Sequence, residues 1–402
     1  MASRVRSKWF GVTESILTTL STETVRLDEQ YLAIEQKILK NLDSMNIKIF
    51  SAMWKLGPRN LLEVSRQTGI PFTSVYHRVE RIEREGELAY LVAKLSKLGM
   101  MRVVVLATAR LGCEEAVTQA LRTPNLWQAI NSCEGTFTHD SVHAVPAQFI
   151  NEFREYIHQL SKSGLIRRYK IILTGDYIPN FPDFNYYDPV AHEWTFPWDH
   201  WFAEIVSADP KTTIDDPHGY EVLVDKKDLL IIKELEINAR RSFAELAPKV
   251  GISLHGVKYH FDKKLVPAGI VQNIQFNVVP YPKEVTAFHE IMLEFNSELD
   301  MDKFYSAIPQ LFFVIGASKV LGRNAVLLRT YILESQLSRL LTFFSQLAKA
   351  GILQSYSAVR KDLKSRIVQT ISFELFDDER GWTFNLEKCL EELSKLRMAY
   401  AK

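Results

Sequence analysis

Two stretches of the chain, residues 46–88 and 228–270, lie over one another without a gap at an offset of 182 residues. Ile47, Phe50, Met53, Leu61, Glu63, Val64, Gly69, Ile70 and Val75 fall opposite Leu229, Ile232, Leu235, Phe243, Glu245, Leu246, Gly251, Ile252 and Val257. Apolar residues recur at spacings of three and four in each copy, which predicts a helix with one buried stripe. A short second helix, residues 61–68 or 243–250, then stops at Gly69 or Gly251. Glycine takes the left-handed backbone of a helix end without a side-chain penalty. The turns Gly69-Ile70-Pro71-Phe72-Thr73 and Gly251-Ile252-Ser253-Leu254-His255 lead into a third helix. Three helices in that order form a helix-turn-helix, whose last helix can enter the DNA major groove.

The third helices carry charge where the apolar stripe is not. With Val75, Val79 and Ile82 inward, Thr73, Ser74, Tyr76, His77, Arg78 and Arg81 are left for the outer face or its flank. In the second copy Val257 and Phe261 turn inward and leave His255, Lys258, Tyr259, His260 and Lys263. Both sets are basic and rich in hydrogen-bonding groups, as contact with phosphates and base edges requires. A solvated helix face explains one such helix as well, but not its recurrence after the same turn.

The chain has 402 residues, 47% hydrophobic, enough for several cores and two to four domains; the repeat argues for four. Its net charge of +1 does not itself point to nucleic acid, but residues 48–102 hold ten Lys and Arg against five Glu. Cys113, Cys133 and Cys389 are too few and scattered for a zinc site or a disulfide framework, which fits reduced packing residues. There is no apolar run of about twenty residues and no signal-peptide core, so a soluble, cytoplasmic protein without membrane contact is expected.

The segment after each helix-turn-helix repeats too. Strand-like 101–111, helical 114–122, strands 126–133 and 138–145, helical 149–164 and strand 166–173 are matched by 285–295, 301–308, 311–318, 325–333, 336–351 and 353–359. The order β-α-β-β-α-β predicts a ferredoxin-like sheet with two helices on one face and the other face wanting a partner. Glu193-Trp194-Thr195-Phe196 and Gly381-Trp382-Thr383-Phe384 each precede a short helix. These boxes are expected to fasten one closing helix onto each sheet.

The segment Ile237-Asn238-Ala239-Arg240-Arg241-Ser242-Phe243-Ala244-Glu245-Leu246-Ala247, continuing through Gly251-Ile252-Ser253 to Val257-Lys258-Tyr259-His260, resembles the helix-turn-helix of the leucine-responsive, or feast/famine, regulators (Lrp/AsnC). The first copy is similar more loosely, through Gly57-Pro58-Arg59-Asn60 and Gly69-Ile70-Pro71. The resemblance spans most of residues 46–359 and implies a transcription regulator that binds double-stranded DNA. It adds Arg59, Arg241 and Ser253 to the expected DNA contacts. It also implies a small-molecule effector, such as an amino acid, near the loop between the second and third strands of each sheet domain. Gly135, Gly322 and Arg323 would then admit and pair a carboxylate, although glycine there is also ordinary turn chemistry.

Such regulators carry one unit per chain and pair through their sheets, whereas here the partner lies in the same chain. The expected fold is α+β: two winged helix-turn-helix domains, each followed by a ferredoxin-like domain, arranged as an intrachain pseudo-dimer with two unlike heads. The expected divisions are an N-terminal amphipathic helix (1–44), first head (45–98), first sheet domain with closing helix (99–206), linker (207–222), second head (223–279) and second sheet domain with closing helix (280–402). Leu27, Tyr31, Ile34, Ile38 and Leu42 supply the N-terminal helix periodicity, and that helix could also serve a homo-oligomer or a contact with transcription machinery. Two other readings stand beside this one: a winged-helix scaffold in a transcription complex, and an enzyme resembling the sirohaem decarboxylases, which share this domain pairing. His139 and His143, about 13 Å apart on one strand face, with His192 and His200, are the dense histidines available to such an enzyme. Both strand histidines are expected on a polar face. No cofactor, metal site or catalytic motif is read from the sequence.

Overall fold

The structure, a computed structural model, describes residues 24–26, 42–85, 88–191, 193–210, 212–271, 273–277 and 286–400. The expected N-terminal helix lies outside them except for Leu42, which is buried in the first head's core. The sequence also predicts a break at residues 278–283, where Pro280 and Pro282 stand, and it lies outside the described residues as well. No described helix is long and apolar enough to cross a membrane.

A short strand β1 (Thr24–Arg26) is followed by the first head: α1 (Ser44–Leu56), α2 (Leu61–Thr68), α3 (Phe72–Glu85) and strand β2 (Ala89–Val92). The Asp43 carboxylate caps α1 by accepting the Met45 and Asn46 amides, and Asn60 caps α2 through the Glu63 amide. The first sheet domain runs β3 (Met100–Ala109), α4 (Glu114–Arg122), β4 (Trp127–Glu134), β5 (His139–Pro146), α5 (Ile150–Lys162) and β6 (Ile166–Thr174). A strap comes next, with β7 (Ile178–Pro179), the hairpin β8 (Tyr187–Asp188) and β9 (Glu193–Trp194), and helix α6 (Trp198–Ser207).

The second half repeats this order. Its head is α7 (Lys226–Ile237), α8 (Phe243–Val250), α9 (Leu254–His260) and β10 (Asn273–Phe276). Its sheet domain is β11 (Thr286–Phe295), α10 (Glu298–Ala307), β12 (Val314–Lys319), β13 (Ala325–Leu333), α11 (Leu337–Lys349) and β14 (Leu353–Lys361). Its strap carries β15 (Ile367–Gln369), the hairpin β16 (Phe376–Asp377) and β17 (Gly381–Trp382), and α12 (Leu386–Tyr400). Reciprocal capping boxes start α7 (Asp225 with Asp228) and α8 (Ser242 with Glu245). Gly69 at φ 69° and Gly251 at φ 73° end the second helix of each head in the left-handed conformation foreseen for them.

The two halves form an intrachain pseudo-dimer. Their strands join one sheet in the order β6-β3-β5-β4-β14-β11-β13-β12-β7, with β15 also beside β4 and β1 beside β15. The halves meet where Arg360 and Lys361 of β14 pair with Glu134 and Cys133 of β4, and again at a bridge between Thr174 and Val320. Val104, Leu106, Val142, Met292 and Leu327 form the apolar layer between the halves. Beside them sits a buried ion cluster in which Lys361 approaches Asp140 at 3.0 Å, and Arg329 and Arg102 approach Glu290 at 3.6 and 3.7 Å. Burial alone would raise the Glu290 carboxyl, but Lys361, Arg329 and Arg102 outweigh it and hold it down to about 2. Residues of both halves contribute to this cluster, Asp140 and Arg102 from the first and Glu290, Arg329 and Lys361 from the second, so it ties the two together.

The closing helices depart from expectation: each packs on the other half's sheet domain. Trp198, Trp201 and Ile205 of α6 share a core with Phe304, Phe312 and Phe343 of the second domain. Cys389 and Leu393 of α12 share one with Val117, Phe153 and Ile157 of the first. The straps cross, and the Trp-Thr-Phe boxes are the crossing points: Trp194 stacks on Phe312 at 4.2 Å, and the Trp382 indole N–H donates to the Leu98 carbonyl at 2.6 Å. The aromatics fasten helices as expected, but in exchange, so each half is completed by the other.

Candidate nucleic-acid interface

Each recognition helix is held by its inner residues and leaves an outer face. In α3, Val75, Val79 and Ile82 are buried. Thr73, Tyr76, His77 and Arg81 are exposed, and Ser74 and Arg78 are half-buried at the flank. The Tyr76 and His77 rings meet edge to face at 5.7 Å, which gives that face a fixed relief. In the second head Val257 is buried, while Ser253, His255, Lys258, Tyr259 and Lys263 are exposed. Ser253 also caps α9 by accepting the Gly256 amide at 3.0 Å. Phe261, expected inward, is half-buried and packs against Phe243.

Four of the expected outward residues are tied up by the fold. Arg59 lies between the heads, its Nε donating to the Ala239 carbonyl at 2.9 Å and its guanidinium 4.7 Å over the Phe261 ring and 5.2 Å over Phe243. Burial lowers its pKa to about 10, and the ring faces supply the attraction that water would. Arg241 turns back onto the Glu234 carboxylate. Arg78 is held by the Asp43 carboxylate at 2.7 Å and the Asn46 side-chain oxygen Oδ1 at 2.9 Å. His260 is drawn inward to the Asp228 carboxylate, 2.7 Å away. In each case a carboxylate, carbonyl or aromatic face of the protein engages the side chain that the linear pattern left for DNA.

The heads are joined to each other. β2 and β10 pair antiparallel, Ala89 opposite Phe276 and Val92 opposite Asn273, so the strand that would serve as a wing in each head is taken up by the other. The Ala239 and Asn277 amides donate to the Ala89 and Leu88 carbonyls at 2.9 Å each, Arg240 donates to the Pro58 carbonyl at 3.0 Å, and Arg240 pairs with Glu83. The heads therefore hold a fixed mutual orientation.

Sequence reasoning passed over Phe72 and Leu254, each 45% exposed at the start of its recognition helix. They stand at the same offset of 182 and off the buried stripe, which was the available signal. An exposed apolar residue at the leading end of a recognition helix suits contact with a thymine methyl group.

The remaining candidates sit elsewhere. Gly135 and Gly322 occupy turns at φ 97° and 67°, and the Gly322 amide donates to Asp216 at 3.1 Å. Arg323 is paired with Glu294, so the carboxylate it was expected to receive from a ligand comes from the chain itself. His139 and His143 are buried on the helix-covered side of the first sheet, not on a polar face. His139 meets Thr118 and the Glu114 carbonyl at 3.1 Å, and His143 meets Ser141 at 2.9 Å and packs on Phe153. Burial pushes the His143 imidazole down to about 3, leaving it neutral in the core. His200 is exposed on α6, and His192 lies outside the described residues. Asp225, Asp228 and His260 bring ligand atoms within 4.8 Å of one another, but Lys264 places its ammonium 2.8 Å from Asp228 and also pairs with Asp225. The positive charge those carboxylates call for is already present. Cys113, Cys133 and Cys389 are free thiols.

Residues 224–258 match the family model of the AsnC-type helix-turn-helix domain. No curated protein sequence matches the chain significantly. Among solved structures, the siroheme decarboxylase NirDL is 12% identical, with a TM-score of 0.48, over 89% of this chain and 100% of its own. A transcriptional regulator from Neisseria meningitidis, NMB0573, solved as an L-Met complex, is 16% identical with a TM-score of 0.28 over 33% of this chain and 88% of its own. An AsnC family transcriptional regulator from Agrobacterium tumefaciens is 14% identical, TM-score 0.27, over 33% and 89%. These likenesses carry no functional conclusion for this chain.

Proposed function

We propose that the chain is a transcription regulator that binds double-stranded DNA through two unlike helix-turn-helix heads, and that it arose by duplication of one head-plus-sheet unit. The observation that carries this reading is the recurrence, at one offset, of an outer face on the third helix of each head. Phe72, Thr73, Tyr76, His77 and Arg81 form one face, and Leu254, His255, Lys258, Tyr259 and Lys263 the other. The AsnC-type match at residues 224–258 supports the second head directly. Because the faces differ and their orientation is fixed by the β2–β10 pair, the favoured operator is asymmetric, unlike the palindrome read by a two-fold dimer. In this reading the protein acts in the cytoplasm and catalyses no reaction.

The test is selection from random and genomic duplex pools across a salt series. The expected result is enrichment of a non-palindromic site whose affinity falls as salt rises, because phosphate contacts release counterions. The double variant Lys258→Ala/Lys263→Ala should weaken binding and lower the salt slope by about two. Absence of binding at low salt would overturn the reading in favour of a protein-contact module.

A further inference from the structure

A groove of about 930 Å³ opens between the first head and the second sheet domain, within the size range of small-molecule sites. One wall is α1, presenting Lys48, Trp54 and Lys55; the facing wall is formed by the strap and α10, including Phe181 and Tyr305. Lys48 and Lys55 are seven residues apart and so share a helix face, roughly 10 Å from one another along the axis. Both are exposed, and among the described residues neither has an ion-pair partner. Trp54 stacks on Phe181 with ring centres 5.2 Å apart and planes 16° from parallel, which gives the groove an aromatic wall. The carboxylate lining the groove, Asp183, is engaged in capping the Asn185 amide at 3.0 Å.

The corresponding place in the other half is closed. Leu230, Glu236 and Ile237 stand at the offset of 182 where Lys48, Trp54 and Lys55 stand. There the Glu236 carboxylate accepts the Ile371 amide at 2.7 Å, Lys233 lies 5.4 Å over the Phe373 ring, and Ile371 is buried. There the chain's own side chains engage one another, and among the described residues the matching positions carry Leu230 and Ile237 in place of the two unpaired lysines.

We infer that this groove binds a small organic dianion, its two acidic groups set at opposite ends of a flat apolar body. The acidic ends pair with Lys48 and Lys55, and the body lies along Trp54 and Phe181. A lysine ammonium accepts carboxylate and phosphate alike, so the probes must separate these sources. The site stands on its own geometry and does not depend on DNA binding.

The test is calorimetric titration of the full chain with biphenyl-4,4′-dicarboxylate, its monoacid, its neutral dimethyl ester and tripolyphosphate. The dicarboxylate is expected to bind one to one and the monoacid at least about tenfold more weakly, the loss of one charge-assisted contact. Lys48→Gln/Lys55→Gln should lower dicarboxylate affinity by at least about tenfold, Trp54→Leu should lower it as well, and Lys233→Gln in the closed half should leave it unchanged. Circular dichroism confirms that each variant is folded. The inference fails if the double lysine variant binds as the parent does, if the ester binds as tightly as the diacid, or if no dicarboxylate binding occurs at millimolar concentration. Tripolyphosphate binding that is tighter and indifferent to Trp54→Leu would overturn the flat-bodied ligand and leave a simple phosphate site.

Discussion

The two heads share one scaffold but anchor their recognition helices with different chemistry. At the offset of 182, Asp43, Asn46, Arg78 and Ile82 of the first head stand where Asp225, Asp228, His260 and Lys264 stand in the second. In the first, Arg78 bridges Asp43 and Asn46 at a half-exposed flank, its side chain 25% and that of Asp43 51% accessible. In the second, Asp228 is wholly buried and gathers both His260 and Lys264. One set of positions thus does the same structural task in both heads while its charges have been redistributed. The first head spends Arg78 on the anchor and keeps Arg81 on its outer face, and the second anchors internally and leaves Lys258 and Lys263 on its outer face.

The sharpest way to break this comparison is to remove the acceptor in each head. Asp228→Ala strands His260 beside a cavity and leaves Lys264 only Asp225, and should cost about 3 kcal/mol, toward the range for dismantling a buried ion pair. Asn46→Ala leaves Arg78 paired to Asp43 and should cost about 1 kcal/mol, the worth of one hydrogen bond. Urea denaturation of the two variants measures both. Equal losses would mean that the two anchors are energetically alike despite their different burial.

A second comparison concerns how the straps meet the sheets. Gly316 on β12 and Ala129 on β4 each come just after a bulge and pair with the strap of the first and second half respectively, opposite Pro179 and Val368. A Cβ added at Gly316 would fall within the Tyr177 side chain, which donates its hydroxyl to the Ile315 carbonyl at 3.0 Å and lies 4.9 Å under the Arg329 guanidinium. Gly316→Ala should therefore cost about 2 kcal/mol through overpacking. The reverse change, Ala129→Gly, should cost only about 0.5–1 kcal/mol through chain entropy. Thermal unfolding of the pair checks this, and a neutral Gly316→Ala would show that Tyr177 can move without loss.

Which features could be read from sequence depends on how local their causes are. Caps, periodicity and the glycines at 69 and 251 act within a few residues, so the three helices of each head were legible almost to the residue. The β-α-β-β-α-β order was legible for the same reason. The exchange of closing helices was not, because Trp194 and Trp382 stand next in sequence to their own sheets, and the partner each chooses is set by the pairing of the halves. Arg59 looked like a free base beside a turn; the rings and carbonyl that claim it, Phe243, Phe261 and Ala239, lie some 180 residues away. The groove at Trp54 was illegible for a like reason, since it exists only where α1 meets the strap and a domain from the other half.

The difference between the open and closed grooves can be sharpened by pH. Burial raises the Glu236 carboxyl to about 8, with the Ile371 amide opposing that rise, whereas the matching position in the first half is Trp54, which does not titrate. Below about pH 4.5 Glu236 is protonated in both folded and unfolded chains and imposes no penalty. Between there and about pH 8 the unfolded chain releases the proton while the folded chain retains it, so stability falls with rising pH and then levels off. Part of Glu236 reaches solvent, which limits the loss to about 1–2 kcal/mol. Glu236→Gln keeps the acceptor for the Ile371 amide and has no proton to lose, so it should gain on the parent by that amount as pH rises from 5 to 8.5 in parallel urea titrations. Trp54→Leu should shift stability by the same amount at every pH. If the parent and Glu236→Gln run parallel across that range, Glu236 is ionised in the folded chain and the closed groove admits water, which would erase the distinction between the two halves.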